Sequence, residues 1–215
     1  MPGFVPAMKP ENLIFDLGGV LFDIDYQAPA RHFQSLGMHG LKDLFFNPEA
    51  NNPFHAYERG HISSEEFGQH LLQFAPNHVR LNDIQHAWNS ILSGMAPDRI
   101  DVLQALGKSH RIFLFSNIND WHLEAYQNQL PVPYPEFESL FEAVYYSCKI
   151  GHRKPDPEGF LHILNCHGLQ AEETVFIDDL KENADGASKV GIQGWHLDLA
   201  AGESLNSLLH KKGIL

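Results

Sequence analysis

Five short apolar runs, at 13–15, 112–115, 143–146, 174–177 and 193–197, are rich in β-branched and aromatic residues and predict strands. From the second run onward they alternate with helical patterns, as in a parallel sheet with crossover helices, so the expected class is α/β. The stretch 26–96 instead carries helical periodicity and no convincing strand: Phe67, Leu71 and Phe74 recur on one face, as do Ile84, Ala87, Trp88 and Ile91. Ser63-Ser64-Glu65-Glu66 supplies a capping box before the first of these faces. The expected organisation is an α/β core of residues 1–25 and 97–215, with a helical subdomain, 26–96, inserted as one continuous piece. Gly94 to Pro97 marks the return to the sheet. Pro131-Val132-Pro133-Tyr134-Pro135 reads as a rigid loop, because its prolines exclude helix and ladder alike.

In an open parallel sheet, ligands bind beyond the carboxyl ends of the strands. The first run ends in Asp16 and a glycine turn, Leu17-Gly18-Gly19-Val20; the second ends in Ser116-Asn117, and the fourth in Asp178-Asp179. All three could face one crevice. Two adjacent carboxylates at a buried strand end raise one another's pKa unless a cation balances them. Bound Mg2+, which takes oxygen ligands, would do so; helix capping is the other reading of the pair. Ser116-Asn117 offers a hydroxyl and amides for a phosphate-like oxygen, or simply a turn. Lys154 lies in Gly151-His152-Arg153-Lys154-Pro155-Asp156-Pro157, where Pro155 favours an extended conformation. Asp156 is placed as an N-cap and Pro157 as the first helical residue, so Lys154 sits on an ordered segment.

Composition narrows the partners. With 15 Lys+Arg against 27 Asp+Glu, the net charge of −12 argues against nucleic acid and anionic membranes, so an anionic substrate would need a local cation. Hydrophobic residues at 43% and charged residues at 20% describe an ordinary globular chain. No segment approaches the roughly 20 apolar residues of a membrane span, and Met1 to Pro6 has no basic stretch before an apolar run, which makes the cytoplasm the expected location. Cys148 and Cys166 have no metal-ligand spacing and read as buried or half-buried thiols, and the 14 histidines form no zinc motif.

Taken in order, these motifs resemble the haloacid dehalogenase superfamily over nearly the whole chain. Phe15-Asp16-Leu17-Gly18-Gly19-Val20 resembles its first motif and Phe115-Ser116-Asn117 its second. Arg153-Lys154-Pro155-Asp156-Pro157 resembles its third, and Phe176-Ile177-Asp178-Asp179 with Asn183, Ala187 and Gly191 its fourth. The insertion is similar to that superfamily's C1-type helical cap. The resemblance implies a phosphatase for a small phosphorylated metabolite, with Asp16 as nucleophile through an aspartyl-phosphate. It implies Lys154, Ser116 and Asn117 around the phosphoryl group, and Mg2+ held by Asp16, the Gly18 carbonyl and the pair Asp178 and Asp179, Asp178 before its neighbour. The string from Asp16 to Asp25, with Asn119 and His122, is also similar to bacterial sugar-phosphate phosphatases, among them glucose-1-phosphate phosphatases.

Position 18 departs from the family. The phosphatases usually carry a general acid there, and glycine spares the metal's carbonyl ligand but removes the proton donor, a contribution typically worth about 10²–10⁴-fold. An anomeric phosphate, which leaves readily, would suit such a site. Asp23, Asp25 or His122 are candidates to substitute, although Asp23 and Asp25 also fit a role in fixing the flap or capping the next helix. Tyr57, Glu58 and Arg59 are candidate specificity residues in the cap. Two other readings follow from the same residues: a haloacid dehalogenase, for which the usual early Arg is absent before Arg31, and a non-catalytic binder of a phosphorylated metabolite. A monomer or homodimer is the expected assembly.

Overall fold

The structure is a computed structural model and describes residues 10–41 and 52–215. The sequence readings at Met1 to Pro6, and the parts of the expected core and insertion at 1–9 and 42–51, lie outside the described residues. Strands β1 (Asn12–Phe15), β4 (Arg111–Ser116), β5 (Ala143–Tyr146), β6 (Thr174–Asp178) and β7 (Gln193–His196) form one sheet in the order β5-β4-β1-β6-β7. Every pairing in it is parallel. Central β1 is buried along its whole length, which is why Leu13 to Phe15 run continuously apolar rather than alternating.

Alternate strand residues feed two cores. Leu13, Phe15, Leu114 and Ile177 face one side, with Leu103 of α5 (Asp98–Leu106), Tyr126 of α6 (Asp120–Gln127) and Leu209 of α11 (Leu205–Lys211). Ile14, Phe113, Phe115 and Phe176 face the other, against Phe160 and Ile163 of α9 (Pro157–His167) and Ala187 of α10 (Lys181–Lys189). Burial at roughly 25 cal/mol per Å² of apolar surface makes this two-sided sheet the stable centre of the molecule.

Between β1 and β4 the chain forms helices α1 (Ala28–Ser35), α2 (Pro53–Glu58), α3 (Ser64–Leu72) and α4 (Leu81–Asn89). They bury a separate cluster containing Phe33, Tyr57, Phe67, Leu71, Ile84 and Trp88. Trp121 from α6 inserts into this cluster, and the backbone N–H of Trp121 donates to the Tyr57 hydroxyl at 3.0 Å. Ser63 and Glu66 form the capping box at the start of α3. Gly60 lets this layer approach the core: at φ +67 an added Cβ would stand 2.1 Å from the Cys148 carbonyl oxygen.

Four features depart from the sequence reading. A two-stranded antiparallel ribbon pairs β2 (Asp23–Ile24), in the expected core segment, with β3 (Leu92–Gly94), inside the stretch where helix alone was expected; its strands are too short to show a period. Tyr134–Glu138 is a short helix, α7, rather than loop, because proline is tolerated in a first helical turn. Phe74 lies beyond the end of α3 and is exposed, and Cys166 is exposed on α9. Helix α8 (Ser147–Ile150) follows β5. Among the described residues no helix is long and apolar enough to cross a membrane.

Candidate active site

The carboxyl ends of β1 and β6 lie side by side, since Phe15 is in register with Ile177 and the Asp16 N–H donates to the Ile177 carbonyl at 2.9 Å. This register brings Asp16, Asp178 and Asp179 together, with one oxygen from each within 4.8 Å of the others. The Lys154 ammonium enters from the loop before α9, 2.6 Å from Asp16 Oδ1 and 2.7 Å from Asp178 Oδ2. It lies 5.0 Å from the centre of the Phe176 ring and 5.6 Å from that of Phe115, so aromatic faces complete its surroundings. Asn117 fixes this loop through both amide groups: Nδ2 donates to the Lys154 carbonyl at 2.9 Å and Oδ1 accepts from the Lys154 N–H at 2.8 Å. The Lys154–Pro155 peptide bond is cis. Ser116 is buried at the end of β4.

The two adjacent aspartates have different surroundings. Asp178 accepts from Lys154, from Asn183 Nδ2 at 3.1 Å on both oxygens, and from the Leu180 N–H at 2.8 Å. Asp179 accepts on Oδ2 from the Tyr26 hydroxyl at 3.0 Å, while its Oδ1 is buried without a hydrogen-bond partner. Burial and the neighbouring Asp178 push the Asp179 carboxyl up to about 6. Gly19 permits this packing: its φ is +78, and a Cβ there would stand 2.4 Å from Asp179 Oδ2. Burial raises Asp16 well above the ordinary carboxylate range, against the pull of Lys154. For Lys154 burial acts downward, yet Asp16 and Asp178 outweigh it and hold the ammonium above its ordinary value.

Three carboxylates and one ammonium leave an excess of negative charge, and a buried carboxylate oxygen without a partner costs free energy. An all-oxygen donor set with such an orphaned atom fits Mg2+, a hard cation that adds its own charge to the site.

The half-buried Gly18 bridges to Phe22, and a Cβ on it would meet Ile24 Cδ1 at 3.3 Å, so the place of the absent acid is bordered by an apolar side chain. Asp25 accepts from the Gln27 N–H at 2.9 Å and from Arg31 at 2.6 Å, which is the role of a helix-start anchor. Asp23 is exposed on β2. His122 Nε2 donates to the Trp88 carbonyl at 3.2 Å and Nδ1 lies 3.1 Å from Asn119 Nδ2, while its ring stacks on Trp88. Burial pushes His122 down to about 4, so it is a neutral clamp with both ring nitrogens engaged.

Of the cap candidates, Tyr57 is buried in the helical layer, whereas Glu58 and Arg59 reach the loop that carries Lys154. Glu58 pairs with Arg153 at 2.9 Å and Arg59 with Asp156 at 2.5 Å. Asp156 occupies the N-cap position of α9, but its carboxylate serves Arg59 and makes no capping bond. Burial raises Glu58 despite Arg153, and burial with Arg153 and Arg59 lowers His55. Tyr26 had no role in the sequence reading beyond opening the insertion; its contact with Asp179, 153 positions away, carries no local signal.

Comparison with known proteins gives the family. Residues 11–191 match the family described as haloacid dehalogenase-like hydrolase. The chain is 26% identical over 190 residues to D-ribitol-5-phosphate phosphatase of Bacteroides thetaiotaomicron, covering 85% of this chain and 89% of that protein. It is 30% identical over 197 residues to the sesquiterpene phosphatase astK of Aspergillus oryzae, covering 86% and 88%. A HAD family enzyme from Bacteroides thetaiotaomicron, crystallised with magnesium and inorganic phosphate, superposes with a TM-score of 0.82 at 30% identity, covering 93% of this chain and 98% of that one.

Proposed function

Because the chain belongs to the haloacid dehalogenase-like hydrolase family, we propose that it is a Mg2+-dependent phosphatase of a small phosphorylated metabolite, in the class of sugar or polyol phosphates. The observation that carries the reading is the orphaned Oδ1 of Asp179 beside the Asp16–Lys154 pair. Displacing halide from carbon needs no metal, which leaves the Asp178–Asp179 pair less well explained by a dehalogenase than by phosphoryl transfer.

Asp16 is the nucleophile. The Leu17 N–H donates to its Oδ1 at 2.7 Å and Lys154 approaches the same atom, so the carboxylate is held in one orientation for attack on phosphorus. The bond from the Asp16 oxygen to phosphorus forms as the bond to the leaving oxygen breaks, and with glycine at 18 the leaving oxygen takes its proton from solvent; water then attacks phosphorus, breaking the bond to the Asp16 oxygen and giving a proton to solvent, which releases inorganic phosphate and restores the carboxylate. Lys154 offsets charge on the phosphoryl oxygens, and Ser116 and Asn117 border them from the β4 end. Mg2+ supplies further charge neutralisation when bound. Asp16, the Gly18 carbonyl and Asp179 would hold it, since Asp178 is committed to Lys154, Asn183 and the Leu180 N–H.

Glycine at 18 suits a leaving group of low basicity, such as an anomeric oxygen. The ionic groups where the helical layer meets the Lys154 loop, Glu58, Arg59, Arg153 and Asp156, favour a hydroxylated leaving group over an apolar one. In this proposal residues 26–96 act as the cap that closes on the substrate. The proposed setting is the cytoplasm, with a monomer or homodimer acting on metabolites rather than nucleic acid, as the net charge of −12 supports.

The test is phosphate release from a panel of sugar, polyol and prenyl monophosphates, with and without Mg2+, beside Asp16→Asn. Mg2+-dependent release from sugar or polyol phosphates that Asp16→Asn abolishes is the expected result. Release that persists in Asp16→Asn would contradict the assignment.

A further inference from the structure

Tyr26 has its ring at the surface, 54% of the residue being exposed, yet its hydroxyl reaches inward to Asp179 Oδ2 at 3.0 Å. It stands two residues after β2 and two before α1, where the chain leaves the sheet domain for the helical insertion. The returning chain passes the same place: the Asp25 N–H donates to the Ile91 carbonyl at 2.8 Å, and β2 pairs with β3 immediately beyond. Both crossings between the two layers are therefore tied together beside Tyr26.

Asp179 needs an external hold. Its backbone is anchored, with the carbonyl accepting from His196 Nε2 at 3.0 Å, but the terminal torsion of an aspartate is broad, and Asp16 and Asp178 repel a third carboxylate. Among the described residues, the Tyr26 hydroxyl is the side-chain donor on this carboxylate, and it occupies Oδ2 alone, leaving Oδ1 without a partner.

We infer that Tyr26 is a positioning residue of the metal site: its hydroxyl orients the Asp179 carboxylate so that a free oxygen stays within the acidic cluster, and it thereby couples Mg2+ affinity to the hinge of the helical insertion. The inference rests on the metal-dependent reading above. Partners of metal ligands act in this way, and removing one typically weakens metal binding by about 10–100-fold.

Tyr26→Phe removes the hydroxyl and keeps a ring that is already half exposed, so the fold is retained. The probe is Mg2+ alone, titrated by calorimetry into the full chain without substrate, with Asp179→Asn alongside. The expected result is a Kd for Mg2+ raised about 10–100-fold in Tyr26→Phe and binding lost in Asp179→Asn. At saturating Mg2+, kcat on the best phosphate ester should stay within about threefold of the wild type, as expected when only metal affinity is lost. An unchanged Kd in Tyr26→Phe would overturn the inference. So would a lower one, which would mean that the hydroxyl competes with the cation for Asp179. A fall in kcat at saturating Mg2+ with Kd unchanged would place Tyr26 on the substrate instead. If the wild type binds Mg2+ but releases no phosphate from any ester, the phosphatase reading fails while the Tyr26 effect on Kd is still read. If Asp179→Asn binds Mg2+ like the wild type, Asp179 is no ligand and the inference falls.

Discussion

Lys154 carries two carboxylates, Asp16 and Asp178, on one buried ammonium, and its position follows from Asn117 gripping both its backbone N–H and its carbonyl. Lys154→Met should lower kcat/KM by roughly 10²–10³-fold, the usual loss when one preorganised charge is removed from a transition-state site. Steady-state phosphate release measures it, and a loss within about threefold would remove Lys154 from the proposed mechanism. The sequence points to Asp16, Lys154 and the Asp178-Asp179 pair because each follows a strand or precedes a helix, and strand ends in a parallel sheet converge. The resemblance puts Asp178 before Asp179 as metal ligand, and the proposal reverses that order because Asp178 is engaged by Lys154, Asn183 and the Leu180 N–H while Asp179 keeps a free oxygen. That reversal depends on Asn183 and Lys154 arriving from one side and Tyr26 from the other, contacts that span 5, 24 and 153 positions.

At the scale of elements, α4 and α6 are joined by one polar clamp: His122 stacks on Trp88, bonds its carbonyl and is engaged by Asn119, the N-cap of α6. A histidine held neutral at about 4, against an ordinary 6.5, is protonated first in the unfolded chain. Its contribution to stability is therefore present above about pH 6.5 and is lost as the pH falls toward 4, amounting to at most about 3 kcal/mol and less for its partial exposure. Urea unfolding at pH 7, 5.5 and 4.5 should show a shallower loss of stability in His122→Gln than in the wild type; equal slopes would contradict the clamp. The central strands β1, β4 and β6 are legible because burial on both faces demands apolar runs; the edge strands β5 and β7 are largely half-buried and are read from their aromatic and β-branched residues. The β2–β3 ribbon is not, since two or three residues carry no period. Helix α7 hides behind prolines that block a helix interior but not its first turn.

Across the whole molecule, the acidic cluster joins the sheet's carboxyl edge, through Tyr26, to the place where the chain crosses into a helical layer with its own core, into which Trp121 reaches from α6. The insertion is legible as a helical interruption in a βα pattern; its docking through Trp121, Glu58–Arg153 and Arg59–Asp156 is not, because those pairs are set by packing rather than by spacing. Mg2+ binding only the folded chain should raise Tm. At about 100 times its Kd the gain is about 2.7 kcal/mol, or about 5–10 °C for a chain of this size. NaCl of equal ionic strength should not reproduce this rise, and Asp179→Asn should lose it; a rise equal in NaCl would mean charge screening alone. The central claim is that Asp16 carries the phosphoryl group, and the most direct measurement is rapid acid quench during turnover of a sugar phosphate with Mg2+, followed by peptide mass spectrometry. The account predicts that one phosphoryl mass appears on the peptide containing Asp16 and, after borohydride reduction, homoserine at position 16. Full turnover with that peptide unmodified at every quench time would contradict it.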